Sequence, residues 1–324
     1  MKIFRHILKS GVLFGLATLL LLPLGCGQKK VRQGKDIEGQ ISISGAFALY
    51  PMTVKWAEEF QKLYPNVRID ISAGGAGKGM MDVLSGMVDL AMFSREVSQA
   101  EMDKGAWFVA VTKDAVVCTI NADNPVLPYL KAHGLNGEQF QELFLTEIQH
   151  TWGDVTDKTN LEKINVYTRS DACGAAEMWG KFLGKNQESL KGIGVFGDPG
   201  MADAVKNDKY GIGYNNVVYA YDMKSRKKYP GLEVVPLDIN GNGIIDSDEN
   251  VFETLDQIME AIRTNKYPSP PARDLYLVSN NRPTNPAVLA FLEWILTDGQ
   301  KFVNEAGYVE LSKDKIHREL KKIK

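Results

Sequence analysis

Apolar and polar positions alternate with two different periods along the first half of the chain. Over residues 50–64 the apolar positions recur at helical spacing, whereas residues 40–44 and 67–72 are short β-rich runs. A second helix is predicted to begin over residues 80–85, and residues 88–93 form the next strand. Strands that alternate with helices predict α/β layers around a mostly parallel sheet.

The same two patterns continue through the middle of the chain. A β-rich run over residues 108–120 is long enough to pass from one lobe of a protein into another. Beyond it, helical spacing and β-rich runs alternate again. The helix candidates are residues 136–145, 175–183 and 251–264, and the strand candidates are residues 164–169 and 211–215.

A proline-rich break at residues 268–271 precedes the last elements of the chain. Residues 274–278 then predict a strand, and residues 286–304 an amphipathic helix. We expect both to return to the first lobe, which requires two crossover strands and a hinge. The predicted lobes are residues 40–116 with 273–324 for lobe 1, and residues 117–272 for lobe 2.

The first residues predict a targeting segment rather than part of the fold. Lys2, Arg5 and Lys9 precede an apolar run that is too short to span a membrane permanently. The run ends in Leu-Pro-Leu-Gly-Cys26, which resembles a bacterial lipobox, although Pro23 departs from its usual pattern. We expect residues 1–25 to be a lipoprotein signal peptide, with a plain secretory signal as the alternative.

On this interpretation Cys26 carries the lipid, and the polar residues 26–39 are a tether to a bacterial membrane. The protein would then work outside the cytoplasm, in the periplasm or at the cell surface. Its formal net charge is −2, so nucleic acid is not an expected partner. Three cysteines in 324 residues exclude a disulfide scaffold. The charged residues 313–324 predict a solvated terminal helix.

Residues 238–249 match a calcium loop of the EF-hand type at each diagnostic position. Gly243 lies at the sharp turn in place 6. The expected oxygen ligands are Asp238, Asn240, Asn242, the backbone carbonyl of Ile244, Asp246 and Glu249. The alternative is a polar Asn-Gly turn. Because a strand rather than a helix precedes the loop, we expect an isolated structural calcium site or a contact to a partner.

Three segments rich in small residues each lie where a strand is expected to pass into a helix. They are residues 44–48, 72–78 and 169–175. Such junctions leave backbone N–H groups free at a helix N-terminus, where the helix dipole also favours negative charge. Three of these junctions together with arginines suggest a site for a small tetrahedral anion. Each segment taken singly is equally compatible with an ordinary tight turn.

With these motifs the chain resembles the substrate-binding lipoproteins of phosphate ABC transporters. The similar segments are residues 44–51, 71–80, 88–95, 169–177, 211–214 and 294–300. The resemblance implies a two-lobed periplasmic-binding-protein fold of type II, with hinge strands. Each lobe would be a mixed sheet flanked by helices.

The resemblance also implies a set of phosphate contacts. Arg169 would form a bidentate pair with the oxyanion, Asp171 would orient Arg169, and Ser94 would donate its hydroxyl. The full set is Ala46, Phe47, Ala48, Ser72, Gly74, Gly75, Ser94, Arg95, Arg169, Asp171, Cys173, Gly174 and Ala175.

The chain departs from this pattern at three positions. Many relatives have serine and threonine where Cys173 and Ala175 stand, which removes two hydroxyl donors. Some relatives have an aspartate in place of Arg95 that accepts the proton of hydrogen phosphate. Selectivity for phosphate would then depend on Asp171 or on another acceptor, or it would be weaker.

We therefore expect a monomeric binding protein, not an enzyme, that delivers inorganic phosphate to an ABC permease and its ATPase. The alternatives within this fold are sulfate, molybdate or tungstate as the anion, or phosphate sensing without transport. A secreted phosphate-ester hydrolase is a different class, and it requires a metal cluster or an activated nucleophile. Cys173 has no histidine motif beside it, and no organic cofactor is expected.

Overall fold

The computed structural model describes residues 37–324. The predicted signal peptide, the lipidation site Cys26 and most of the predicted tether lie outside these residues. Within residues 37–324 no helix is both long and apolar enough to cross a membrane.

Strands and helices alternate along most of the described chain. The strands are β1 (Gly39–Gly45), β2 (Val67–Ala73), β3 (Leu90–Phe93), β4 (Ala106–Asn121), β5 (Asn165–Arg169), β6 (Ile193–Val195), β7 (Gly211–Asn216), β8 (Leu232–Val234) and β9 (Ala272–Asn280). The helices are α1 (Tyr50–Leu63), α2 (Ala76–Leu84), α3 (Gln99–Met102), α4 (Leu127–His133), α5 (Gly137–Leu145), α6 (Gly174–Phe182), α7 (Gly197–Asn207), α8 (Val217–Ala220), α9 (Leu255–Arg263), α10 (Pro286–Leu296) and α11 (Lys313–Ile323). Short 3-10 turns, including Phe47–Leu49, join some of them.

The strands form a continuous path in the order β2-β1-β3-β9-β4-β7-β5-β6, and β8 pairs with β4. Strands β1, β2 and β3 are parallel to one another, as are β5, β6 and β7. The strands around β4 and β9 are antiparallel. The sheet is therefore mixed, as the family resemblance implied, rather than mostly parallel, because the two strands that join the lobes run in opposite directions through its centre.

Strand β4 belongs to both halves of this path. Its first part pairs with β9 as far as Ala115, which lies opposite Ala272. From Val116 onwards it pairs with β7 and β8 instead. The chain thus leaves one half of the molecule along β4 and returns to it along β9, and the two crossings lie side by side.

Two large hydrophobic cores lie on either side of these crossings. The first is built around Trp56, Phe60 and Phe291, which come from α1 and α10. The second is built around Trp152 and Trp179 with many aliphatic side chains. Here the half with the first core is called lobe 1 and the half with the second core is called lobe 2.

Local signals explain where several helices begin. Asn136 and Thr254 cap α5 and α9, and each exchanges hydrogen bonds with a glutamine three residues later. The cap at Thr254 starts α9 at Leu255, later than the predicted start at residue 251. Helix α10 ends at Leu296, earlier than predicted, because the backbone of Thr297 leaves the helical region and a short 3-10 turn follows.

The terminal helix α11 is not fully solvated, contrary to the expectation from its charge. Ile323 and Glu319 are buried, and a carboxylate oxygen of Glu319 accepts a hydrogen bond from the backbone N–H of Ala110. One face of α11 therefore packs on lobe 1 and covers β4. The short α4 and the longer α7 were not predicted.

The replacement Phe60→Ala should lower the free energy of unfolding by about 3–5 kcal/mol, because it opens a cavity among packed aromatic rings. The ring of Phe60 is fully buried and lies against Tyr64, Phe291 and Trp294. Urea denaturation measures the loss. Leu63→Ala, at the exposed end of the same helix, is the control and should cost less than about 1 kcal/mol. Equal losses in both variants would contradict this description of the core.

Candidate functional site

The first two glycine-rich segments meet at the end of β1. The carbonyl of Gly45 accepts hydrogen bonds from the N–H groups of Gly74 (2.9 Å) and Gly75 (3.1 Å). Gly45 has φ of +129°, and a methyl group there would lie 2.3 Å from the carbonyl oxygen of Met92. Only glycine fits this tight approach. As a result, two N–H donors that the sequence assigned to the anion are already used within lobe 1.

The third segment reaches these turns from lobe 2. The N–H of Gly77 donates to the carbonyl of Ala172 across the cleft, at 3.1 Å. Gly174 packs so tightly on Ser94 that an added methyl group would lie 2.1 Å from the Ser94 carbonyl oxygen. The structure therefore brings all three segments together at one place between the lobes, and the cleft is closed.

Several backbone donors at this meeting point have no acceptor among the residues that the structure describes. In residues 37–324, no hydrogen bond to a protein acceptor is made by the N–H groups of Phe47, Ala48, Ala76, Gly174 and Ala175. They lie in the first turns of the 3-10 turn before α1, of α2 and of α6. Because helix N-termini carry partial positive charge, this group of donors can hold an anion.

Arg169 lies at the end of β5, and its side chain is fully buried. Its Nε and Nη2 atoms donate to the two carboxylate oxygens of Asp171, at 2.8 and 2.7 Å, and Nη1 donates to Asp198 at 2.7 Å. Asp171 thus occupies the Nε edge of the guanidinium. A bidentate contact with an oxyanion can use only the remaining Nη1 and Nη2 edge.

Burial and neighbouring charges act in opposite directions on these groups. Burial by itself would lower the pKa of Arg169, but Asp198 and Asp171 outweigh it and raise that pKa, so the guanidinium stays charged. Burial raises the pKa of the Cys173 thiol to about 12, although Arg169 opposes the rise. The Cys173 thiol is therefore protonated at neutral pH and is a poor nucleophile.

The remaining predicted contact residues differ in burial and in their position relative to the cleft. Ser94 is buried beside Gly174, whereas Ser72 is exposed. Both terminal nitrogens of Arg95 donate to Glu101, at 3.0 and 2.7 Å, and its guanidinium lies over the ring of Phe93. Its charge is therefore already paired within lobe 1. Arg95 lines a groove of about 470 Å³ at the mouth of the cleft rather than the wall around Arg169.

An aromatic contact closes another side of the cleft. The rings of Phe47 in lobe 1 and Phe196 in lobe 2 meet edge to face, with their centroids 6.1 Å apart. The Phe47 ring also lies against Gly197 and 6.0 Å from the Arg169 guanidinium carbon. The cleft thus combines backbone donors with an apolar wall, which excludes water from the guanidinium.

Asp198 is the main residue of this site that sequence reasoning missed. It is buried at the start of α7, where it binds both Arg169 and Asn216. The segment Gly-Asp-Pro199 is a signal for a helix start, with an acidic residue in the first turn. This signal could have placed α7, but it could not have shown that Asp198 faces a residue of β5.

The predicted calcium loop is tightly turned, and its two end carboxylates are buried. Asp238 accepts hydrogen bonds from the N–H groups of Gly241, Asn242 and Gly243. Glu249 accepts from the N–H groups of Ile239, Asn240 and Asp246. Gly243 has φ of +77°, as a sharp turn at place 6 requires.

The other expected ligands lie on the exposed side of this loop. The amide nitrogens of Asn240 and Asn242 donate to the same oxygen of Asp246, at 2.9 Å, and Ile244 is exposed. Among residues 37–324, no group of three or more His, Cys, Asp or Glu side chains is arranged to hold a metal ion. Only three of the six expected ligands are carboxylates, so amide and backbone oxygens would have to complete the shell.

Comparison with known proteins identifies the family of this chain. The model of the PBP superfamily domain matches residues 30–299. The phosphate-binding protein PstS of Methanocaldococcus jannaschii is 27% identical, over 80% of this chain and 79% of its own. The PstS of Staphylococcus saprophyticus is 25% identical, over 94% of this chain and 92% of its own.

Two solved structures share the fold. A protein from Clostridium perfringens, whose crystal structure contains bound phosphate, has a TM-score of 0.70 at 21% identity and covers 85% of this chain and 100% of its own. An ABC-type phosphate transport receptor from Vibrio cholerae has a TM-score of 0.60 at 18% identity, over 84% of this chain and 100% of its own. At these identities the likeness establishes the fold alone.

The replacement Gly174→Ala should hold the two lobes apart, because the added methyl group would overlap the backbone of Ser94. Small-angle X-ray scattering should show a larger radius of gyration than in the unchanged protein. Gly137→Ala is a matched control, since Gly137 is also the first residue of a helix and has nothing within 4 Å of the added methyl group. A closed Gly174→Ala variant would show that the contact between the lobes is not tight.

Proposed function

Because the chain belongs to the PBP superfamily, we propose that it captures inorganic phosphate between its two lobes and delivers it to an ABC permease. The observation that carries the proposal is the meeting of three helix-start segments with a buried arginine in one closed cleft. The PstS names of the similar proteins agree with this ligand. Binding needs no bond to be made or broken.

Backbone N–H groups would be the main donors to the anion. The free N–H groups of Phe47, Ala48, Ala76, Gly174 and Ala175 come from both lobes, so an anion between them would favour closure. These donors do not depend on side chains. Anion binding is therefore compatible with a thiol at position 173 and a methyl group at position 175, where many relatives have hydroxyl groups.

The charges around the cleft favour an anion that still carries a proton. Arg169 contacts two carboxylates, Asp171 and Asp198, so these three groups together carry one negative charge when ionised. Asp171 faces the Gly75 turn across the cleft, and a methyl group at Gly75 would lie 2.9 Å from its Oδ2 atom. Hydrogen phosphate can donate its proton to such an oxygen, whereas sulfate and molybdate at neutral pH cannot.

We also propose that the protein works outside the cytoplasm and catalyses no reaction. We propose that Cys26 anchors the protein to a bacterial membrane, in the periplasm or at the cell surface, which the lipobox-like sequence supports. A protonated thiol at Cys173 gives no support for covalent catalysis or for phosphate-ester hydrolysis.

We further propose that residues 238–249 bind a calcium ion with a structural role. Asp238 and Glu249 are buried, and no lysine or arginine within residues 37–324 forms an ion pair with them or with Asp246. Neutral N–H groups of the loop donate to Asp238 and Glu249, and a bound cation would offset the negative charge that these donors leave. When bound, the ion would be held by the six oxygen ligands given above and would stabilise lobe 2.

Isothermal titration calorimetry tests phosphate binding directly. The unchanged protein should bind phosphate, and Arg169→Ala should weaken binding by about a hundredfold or more, because a charge-assisted donor is lost from a buried site. Ser94→Ala keeps all the charges and should weaken binding by about tenfold.

Arg263→Ala is the control for loss of positive charge, because Arg263 is exposed and its one ion pair within residues 37–324 is with Glu260 on the same helix. It should bind phosphate as the unchanged protein does. No heat of binding with the unchanged protein would reject phosphate as the ligand. Displacement of phosphate by equimolar sulfate, molybdate or tungstate would reject the proposed selectivity.

For the calcium site, the unchanged protein should melt about 5 °C higher in excess calcium than in chelator. The double variant Asp238→Ala with Glu249→Ala should lose this difference, because it removes both buried carboxylates. Differential scanning calorimetry measures it.

Asp248→Ala is the matched control for this experiment. Asp248 lies in the same loop but is exposed, and it pairs with Lys266. This variant should keep the calcium effect. If the double variant still melted at a lower temperature in chelator than in calcium, residues 238–249 would not be the calcium site.

A further inference from the structure

The two strands that join the lobes carry a buried ion pair at the crossing. Asp114 of β4 lies opposite Arg273 of β9, one residue from the point where both strands change lobes. The Nε atom of Arg273 lies 2.9 Å from Asp114 Oδ1, and both side chains are buried. Burial raises the pKa of Asp114 to about 7, although Arg273 opposes the rise. The carboxylate therefore depends on Arg273 for its charge.

Arg273 also reaches from its hinge strand into lobe 2. Its Nη1 atom donates to the carbonyl oxygen of Gly174 at 3.1 Å, and its Nη2 atom donates to the side-chain oxygen of Asn216. Gly174 is the first residue of α6 and supplies one of the free N–H groups of the cleft. Arg273 therefore holds the peptide that follows this donor.

Asn216 extends these contacts from Arg273 towards Arg169, the arginine proposed to bind the anion. Its side-chain nitrogen donates to Asp198 Oδ1, while Asp198 Oδ2 accepts from Arg169. The amide of Asn216 is thus oriented by a donor on one side and an acceptor on the other. Asp114, Arg273, Asn216, Asp198 and Arg169 form one buried chain of hydrogen bonds and ion pairs, which we call the hinge network.

The position of Arg273 makes this network sensitive to lobe movement. Arg273 is the second residue of β9, whereas its partners Gly174 and Asn216 belong to lobe 2. A rotation of the lobes at the crossing would therefore change the distances between them. Buried charges that lose their partners are strongly unfavourable, so the network favours the closed arrangement.

We propose that Arg273 is a positioning residue, which acts through Asn216 and Asp198 to hold Arg169 and through Gly174 to hold the start of α6. Hinge position and anion affinity are then linked, although Arg273 is not one of the predicted anion contacts. The binding part of this inference rests on the proposed function. A purely structural network would lower stability on mutation without changing the cleft.

Asn216→Ala tests the link without removing any charge. The matched control is Asn215→Ala, because Asn215 lies in the same strand, is equally buried and donates to Thr119 instead of the network. We expect Asn216→Ala to weaken phosphate binding by about tenfold in calorimetry, since a hydrogen bond to a charged group is lost. Asn215→Ala should change it less than about twofold.

A second measurement does not need phosphate. Hydrogen–deuterium exchange of peptides that cover residues 169–176 should be faster in Asn216→Ala than in Asn215→Ala, because Arg169 and α6 lose a support. If the unchanged protein does not bind phosphate, the proposed function fails, but the exchange result still decides the positioning role. Equal exchange and equal affinity in the two variants would overturn the inference.

Arg273→Lys is the second variant in case Asn216→Ala does not fold. It keeps a positive charge beside Asp114 but cannot hold Gly174 and Asn216 together. It should also speed exchange over residues 169–176 and weaken phosphate binding. If neither variant folds while Asn215→Ala does, the network is structural and the proposal is rejected.

Discussion

The guanidinium of Arg169 is the group on which the rest of the cleft depends. A buried positive charge is costly unless carboxylates surround it, and here Asp171 and Asp198 supply them from the same strand end and from α7. These partners fix the plane of the guanidinium before any ligand arrives. The helix starts of both lobes then meet around this fixed group, so the cleft is organised in advance for an anion.

The sequence predicted the three segments of the cleft because their signals are local. Small residues at a strand end, followed by helical spacing, are visible within about ten residues, and the family resemblance added Ser94 and Asp171. Asp198 and Arg273 could not be found in this way, since each lies far along the chain from Arg169 and only the tertiary fold brings them together. The bidentate contact of Arg169 with an oxyanion stays a prediction, but its pairing with Asp198 as well as Asp171 was not visible in the sequence.

The lobes themselves were visible in the pattern of elements, but the direction of the central strands was not. Alternating strands and helices favour parallel pairing, whereas β4 and β9 are antiparallel because the chain leaves and re-enters lobe 1 at one crossing. The charged tail illustrates the same limit. Its composition suggested solvent on all sides, yet Ile323 and Glu319 face lobe 1.

The length of β4 has a consequence for how the protein unfolds. This strand of 16 residues lies inside the sheet of both lobes, with β9 beside one end and β7 beside the other. Unfolding of either lobe would therefore remove hydrogen-bonded neighbours from β4, a strand that the other lobe also contains. Two separate aromatic cores are therefore expected to unfold in a single cooperative transition, although each is large enough to suggest an independent domain.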